Sequence, residues 1–124
     1  MRVAVLRQGD HLIATIQSDL TDSEVLALRD ELAEKVGRLR CRGLIVDVGA
    51  LDVIDSFVAR SLSSLAATAR LRGASTVIVG IRPHVAIAMV HFDLDLRPLT
   101  TALDLDEGLA TLARLTMQGA EDGR

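Results

Sequence analysis

The 124-residue sequence predicts one α/β domain over residues 1–124: a mixed, mostly parallel β-sheet with packed α-helices, in the order β-β-α-β-α-β-α-β-α. Three observations carry this. GLIVDV (43–48) and STVIVGI (75–81) are short β-branched runs without alternation, the composition of strands buried on both faces. Stretches with apolar residues at helical spacing separate them. The length and the balance of 49% hydrophobic and 25% charged residues suit one domain with a sizeable core.

Each element has its own signal. VAVLR (3–7) and HLIATIQ (11–17) flank a Gly-Asp turn and read as paired strands, with Val3 and Val5 on one face and Leu12, Ala14 and Ile16 on one face of the second. In the following helix Thr21 and Glu24 have capping-box spacing. Val25, Leu28, Leu32, Val36 and Leu39 form its apolar stripe, and Glu31–Lys35 and Glu34–Arg38 are i,i+4 pairs. A second helix spans Ser56 to about Leu71, with Val58, Leu62, Leu65, Ala66 and Ala69 inward and Gly73 just past its end. Pro83 opens a short helix through Phe92. LRPLTTAL (96–103) reads as an edge strand with Pro98 at its start. The last helix has Asp104 as N-cap and turns Leu105, Leu109, Leu112 and Leu115 or Ala113 inward; residues 118–124 are expected to fray.

Composition excludes several functions. Net charge is −3, and aromatic residues make up 2% of the chain, so neither a basic stripe nor a stacking platform for nucleic acid is present. No apolar run approaches the roughly 20 residues of a membrane-spanning helix. The charged start, MRVAVLRQGDH, does not read as a signal peptide, and the single Cys41 has no partner for an internal disulfide. These features predict a reducing, cytoplasmic setting. His11, His84, His91 and Cys41 form no tight cluster of metal-ligand spacing, and no metal or other cofactor is expected. Glycine-rich phosphate loops are absent.

The segment LDVIDSFVARSL (51–62) is where chemistry concentrates, because one hydroxyl, Ser56, sits at a strand-to-helix junction beside Asp52 and Asp55. As an N-cap it would accept the N–H of Val58 or Ala59. A helix start also favours a phosphate, through free N–H groups and the helix dipole. A catalytic serine lacks the G-x-S-x-G elbow here, which makes a hydrolase a remote alternative, and no catalytic residue is assigned. Asp47, Asp52 and Asp55 read as loop and capping carboxylates before they read as an acid/base pair. A phospho-aspartate receiver would need an acidic pair where this chain reads RQG, and a late lysine where its only lysine is Lys35.

With these residues in view, GLIVDVGALDVIDSFVARSL at the third strand and second helix resembles a STAS domain (sulfate transporter and anti-sigma factor antagonist), and the resemblance covers nearly the whole chain. Within that family, DVIDSFVARSL and STVIVGIRPHVAIAMVHFDLDL most resemble the RsbS-type scaffold branch of the bacterial stressosome. The specific features are the D-S-F triplet before a helix and the G-[IM]-x-P-x-V-A-I stretch, Gly80 to Ile87. Many antagonists carry a small residue and glycine after the phospho-serine; Phe57 and Val58 stand here, which favours the stressosome branch. The absence of a preceding sensory domain fits the same branch.

The resemblance implies a non-enzymatic, phospho-switched scaffold. It would oligomerise and join RsbR-type STAS sensor paralogues in a large hetero-assembly. It would sequester an RsbT-type serine kinase and release it when Ser56 is phosphorylated, with a phosphatase resetting the site. Asp52, Asp55, Phe57 and Arg60 are the expected partner-binding residues around Ser56. The alternative is a stand-alone anti-sigma factor antagonist that binds an anti-sigma kinase.

Overall fold

A computed structural model of the chain describes residues 2–94, 96 and 99–122. The elements run β1 (Val3–Gln8), β2 (His11–Ile16), α1 (Asp22–Arg38), β3 (Gly43–Asp47), α2 (Ser56–Leu71), β4 (Ser75–Val79), α3 (Pro83–His91), β5 (Thr100–Ala102) and α4 (Leu105–Asp122). This is the order expected from the sequence. The strands lie side by side in sequence order, β1 antiparallel to β2 and every later pair parallel.

That order dictates the layers. Crossovers of one hand between successive neighbouring strands put every crossover helix on the same face of the sheet. Leu12, Ala14, Leu44, Val46 and Ile78 accordingly share a buried cluster with Leu32 of α1, Leu65 of α2 and Val85 of α3. The opposite face belongs to α4, whose fully buried Leu112 packs with Ile13, Ile45, Val77 and Val79. Because β2, β3 and β4 are covered on both sides, their side chains are apolar at successive positions, which explains the runs without alternation.

Local chemistry sets the helix ends. The Thr21–Glu24 capping box is closed in both directions, at 3.2 Å from Glu24 N to Thr21 Oγ1 and 2.9 Å from Thr21 N to Glu24 Oε1. The Thr21 N–H holds the Glu24 carboxyl below its ordinary range. A carboxylate held down in the fold stabilises it above the unfolded value, and that contribution is lost as pH falls through the folded one. Both i,i+4 pairs on α1 form. Asp104 caps α4, its Oδ1 accepting from Glu107 N at 2.9 Å. Burial raises the thiol of Cys41, so this free cysteine stays protonated and inert at neutral pH.

The structure corrects three details. Helix α4 is longer than the apolar periodicity marks, running from Leu105 to Asp122. β5 spans only Thr100–Ala102, and Pro98 lies outside the described residues. Leu105 and Ala113 of α4 are exposed, and the buried line runs instead through Gly108 and Leu112, with Leu109 and Leu115 partly covered. The reason is close approach. A Cβ on Gly108 would stand 2.6 Å from Val79 Cγ1, so the helix meets the sheet at a position that carries no side chain.

Gly108→Ala sets helix propensity, worth up to about 1 kcal/mol in favour of alanine, against overpacking on an immobile strand, which costs about 1–3 kcal/mol. Overpacking should win, and the denaturant midpoint should fall. A midpoint that rises would show that α4 does not depend on this contact.

Candidate functional site

Parallel strands release their chain at one edge, and the loops after β2, β3 and β4 all arrive there. The loop between β3 and α2 is anchored by two inward residues, Leu51 and Ile54, both buried. Asp52, Val53 and Asp55 therefore face outward. Two neighbours hold the loop. Arg82, the N-cap residue of α3, donates from Nη2 to Leu51 O at 3.0 Å and to Asp52 Oδ1 at 2.5 Å. Asp19, in the segment leading into α1, accepts the backbone N–H of Asp52 at 3.1 Å.

Asp55, not Ser56, caps α2. Its backbone is extended (φ −86, ψ 179), and its Oδ1 accepts from Val58 N at 2.9 Å. Aspartate and serine are near-equal caps, but the anion also gains from the positive end of the helix. Ser56 moves one place along, to the first helical residue, and is exposed. The capping role read from the sequence is thus taken by its neighbour, and the hydroxyl of Ser56 is left outside that task.

Beside Ser56 runs a groove of ≈ 510 Å³ between the start of α2 and α3. Asp52 and Asp55 stand on its rim, and Val53, Val85, Ala88 and Phe92 give it an apolar lining. Phe92 is 73% exposed and Val53 65%, so the groove opens onto a sticky surface. Phe92 also meets the ring of His91 edge-on at 5.3 Å. Phe57 is half-buried and does not line this groove; the aromatic ring that lines it together with Ser56 is Phe92. Arg60 is exposed on α2, one turn beyond Ser56.

The remaining candidates have structural tasks. Asp47 turns inward at the end of β3, where its Oδ1 accepts from Gly49 N at 2.8 Å. Gly80, at φ 82, passes so close that a Cβ would lie 2.8 Å from that same oxygen. Asp47 therefore closes the turn after β3, while the bond that joins the exits of β3 and β4 is from Val48 N to Val79 O at 3.0 Å. The groove lining around Ser56 contains no histidine among the described residues. No group of three His, Cys, Asp or Glu side chains comes together among them either. No described helix is long and apolar enough to cross a membrane.

A five-stranded sheet in sequential order, with an exposed serine starting α2 at its loop edge, is the architecture of a STAS domain. Residues 2–108 match the STAS domain family, and the chain belongs to it. Among solved structures it is similar to a serine-to-glutamate variant of RsbS from Moorella thermoacetica, with 36% identity and a TM-score of 0.78 over 94% of this chain and 99% of that one. It is also similar to a chain from a structure of the stressosome, described as a signal integration and transduction hub, with 34% identity, a TM-score of 0.70, and coverage of 90% and 97%. The RsbT co-antagonist protein RsbRA of Bacillus subtilis is 27% identical over 105 residues, 85% of this chain. The chain spans little more than a third of that relative's length, 37%.

The cap assignment fixes a ranking of stabilities. Asp55→Ala should cost about 0.5–2 kcal/mol, the usual loss of an N-cap. Ser56→Ala should stay within about 0.5 kcal/mol, as for an exposed residue without a cap bond. Urea titrations of both variants check this. Equal losses would return the capping role to Ser56.

Proposed function

We propose that the protein is a non-enzymatic, phospho-switched scaffold of a stressosome, which holds an RsbT-type serine kinase and releases it when Ser56 is phosphorylated. The observation that carries this is the placing of Ser56: exposed, relieved of capping by Asp55, and on the rim of an apolar groove. In the transfer step the γ-phosphoryl group of ATP moves to Ser56 Oγ, the hydroxyl proton leaves, and ADP departs. Phosphoserine brings about −1.5 to −2 charges at neutral pH. It stands on a rim that already carries Asp52 and Asp55.

The unmodified groove suits a partner with an apolar contact. Phe92 and Val53 offer large exposed apolar surfaces, and aromatic anchors beside a pocket supply much of the energy of such interfaces. A like-charge pair at about 6 Å costs roughly 0.7–3 kcal/mol, depending on the effective dielectric. An acidic group on the partner, or the desolvation of the phosphate itself, would turn docking unfavourable. Asp52, Asp55, Phe57 and Arg60 remain the residues assigned to the surface around Ser56, Phe57 and Arg60 outside the groove itself, with Phe92 and Val53 added inside it.

Assembly with RsbR-type STAS paralogues is supported by the likeness to RsbS over almost its whole length and to a chain of the stressosome. Reset requires a phosphatase acting on Ser56. A stand-alone antagonist that pairs with an anti-sigma kinase shares the same serine chemistry, but the stressosome relatives favour the scaffold. The setting proposed is the cytoplasm.

Incubation with an RsbT-type kinase and ATP, followed by peptide mass spectrometry, should place one phosphate on Ser56 and none on the Ser56→Ala variant. Light scattering of the protein mixed with an RsbR-type paralogue should show a particle far larger than a dimer. Phosphate elsewhere would remove the switch, and a one-to-one complex would favour the antagonist.

A further inference from the structure

We infer that Arg60 is the counter-ion of phosphorylated Ser56, holding the phosphate along the first turns of α2. The inference rests on the phospho-switch reading above and adds to it a residue that controls the effective charge of the switch. Ser56 and Arg60 are four apart within one helix, so they lie on the same face, with Cβ atoms about 5–6 Å from each other. Helical side chains lean toward the N-terminus, which carries the long arginine stem back over the position of Ser56. Both residues are exposed, so neither must move out of the core to meet.

The other charges near the site are already engaged or of the wrong sign. Arg82 is held through Nη2 by Asp52 and by Leu51 O, and its Nε, which has no partner among the described residues, is buried away from the surface. Asp55 is committed to the Val58 N–H, and Asp19 to the Asp52 N–H. None of the ion pairs among the described residues uses Arg60. On α3, the element across the groove, His84 and His91 are exposed, and Asp93 follows the helix end. A phosphate on Ser56 therefore meets two rim carboxylates, Asp52 and Asp55, and, on its own helix face, the guanidinium of Arg60, which has no ion pair among the described residues. An arginine matches the phosphate oxygens with a planar fork of donors. Its effect is to turn part of the new charge inward along the helix and so to moderate how strongly the modified surface repels a partner.

The test places phosphoserine at position 56 by suppression of a stop codon, so that it does not depend on any kinase. Phosphorus NMR then follows the second ionisation of the phosphate in the full chain. An i,i+4 pair of this strength predicts that Arg60→Ala raises that pKa by about 0.2–0.4. Arg60→Lys should keep most of the effect, and about 1 M salt should remove the difference by screening. Arg70→Ala, at the far end of the same helix, changes the net charge equally and should leave the titration unmoved. Coinciding titrations for the parent and Arg60→Ala, or an equal shift in Arg70→Ala, would overturn the role of Arg60. Either outcome leaves the phospho-switch itself to the kinase experiment, so the two readings fail separately.

Discussion

The strand order is the constraint on which the rest depends. Five strands laid side by side in sequence, four of them parallel, return the chain to the same edge before each helix. In such sheets the loops beyond the carboxyl ends of the strands are where function gathers. Here that geometry brings together Asp19 from the approach to α1, Asp52 and Ser56 from the approach to α2, and Arg82 from the approach to α3. The bonds among Asp19, Asp52, Arg82 and Leu51 O are individually modest, being partly exposed. Their value lies in orientation. They hold an outward-facing loop in one shape, so that a serine at its end is presented the same way each time.

The division of labour between Asp55 and Ser56 links stability to function. If the serine capped α2, modifying it would disturb the helix it starts. With Asp55 as the cap, the serine's chemistry is separated from the helix's integrity. In the proposed switch, a charge added at Ser56 would fall beside the groove lined by Val53 and Phe92 and leave the bond from Val58 N to Asp55 in place. Asp47 serves the same end from beneath. It closes the turn that follows β3, and so sets where the loop that leads to Ser56 begins.

Much of this was legible in the sequence. The capping box of α1, its apolar stripe, the Asp104 cap and the order of elements all follow from local spacing, and local spacing decides them. The misreadings share a physical cause. Asp55 and Ser56 are adjacent and both good caps, so only the extended backbone at Asp55 separates them. The inward line of α4 passes through Gly108, which emits no hydrophobic signal because its contribution is the absence of a side chain. Phe92 passed unnoticed because its exposure depends on how α3 is rotated against the sheet by Val85 and Met89, a tertiary fact. Arg82 and Asp19 lie far from Ser56 in the chain, and no local pattern ties them to the loop.

The central claim is that one phosphate on Ser56 converts an apolar docking surface into a repulsive one without unfolding anything. Titration calorimetry of an RsbT-type kinase onto unmodified protein, Ser56→Ala and Ser56-phosphorylated protein tests it most directly, with melting curves recorded alongside. The account predicts equal affinity for the first two, a loss of about tenfold or more for the third, corresponding to about 1.4 kcal/mol, and little change in melting temperature. Equal affinity for all three, or a loss of binding that tracks a loss of fold, would contradict it.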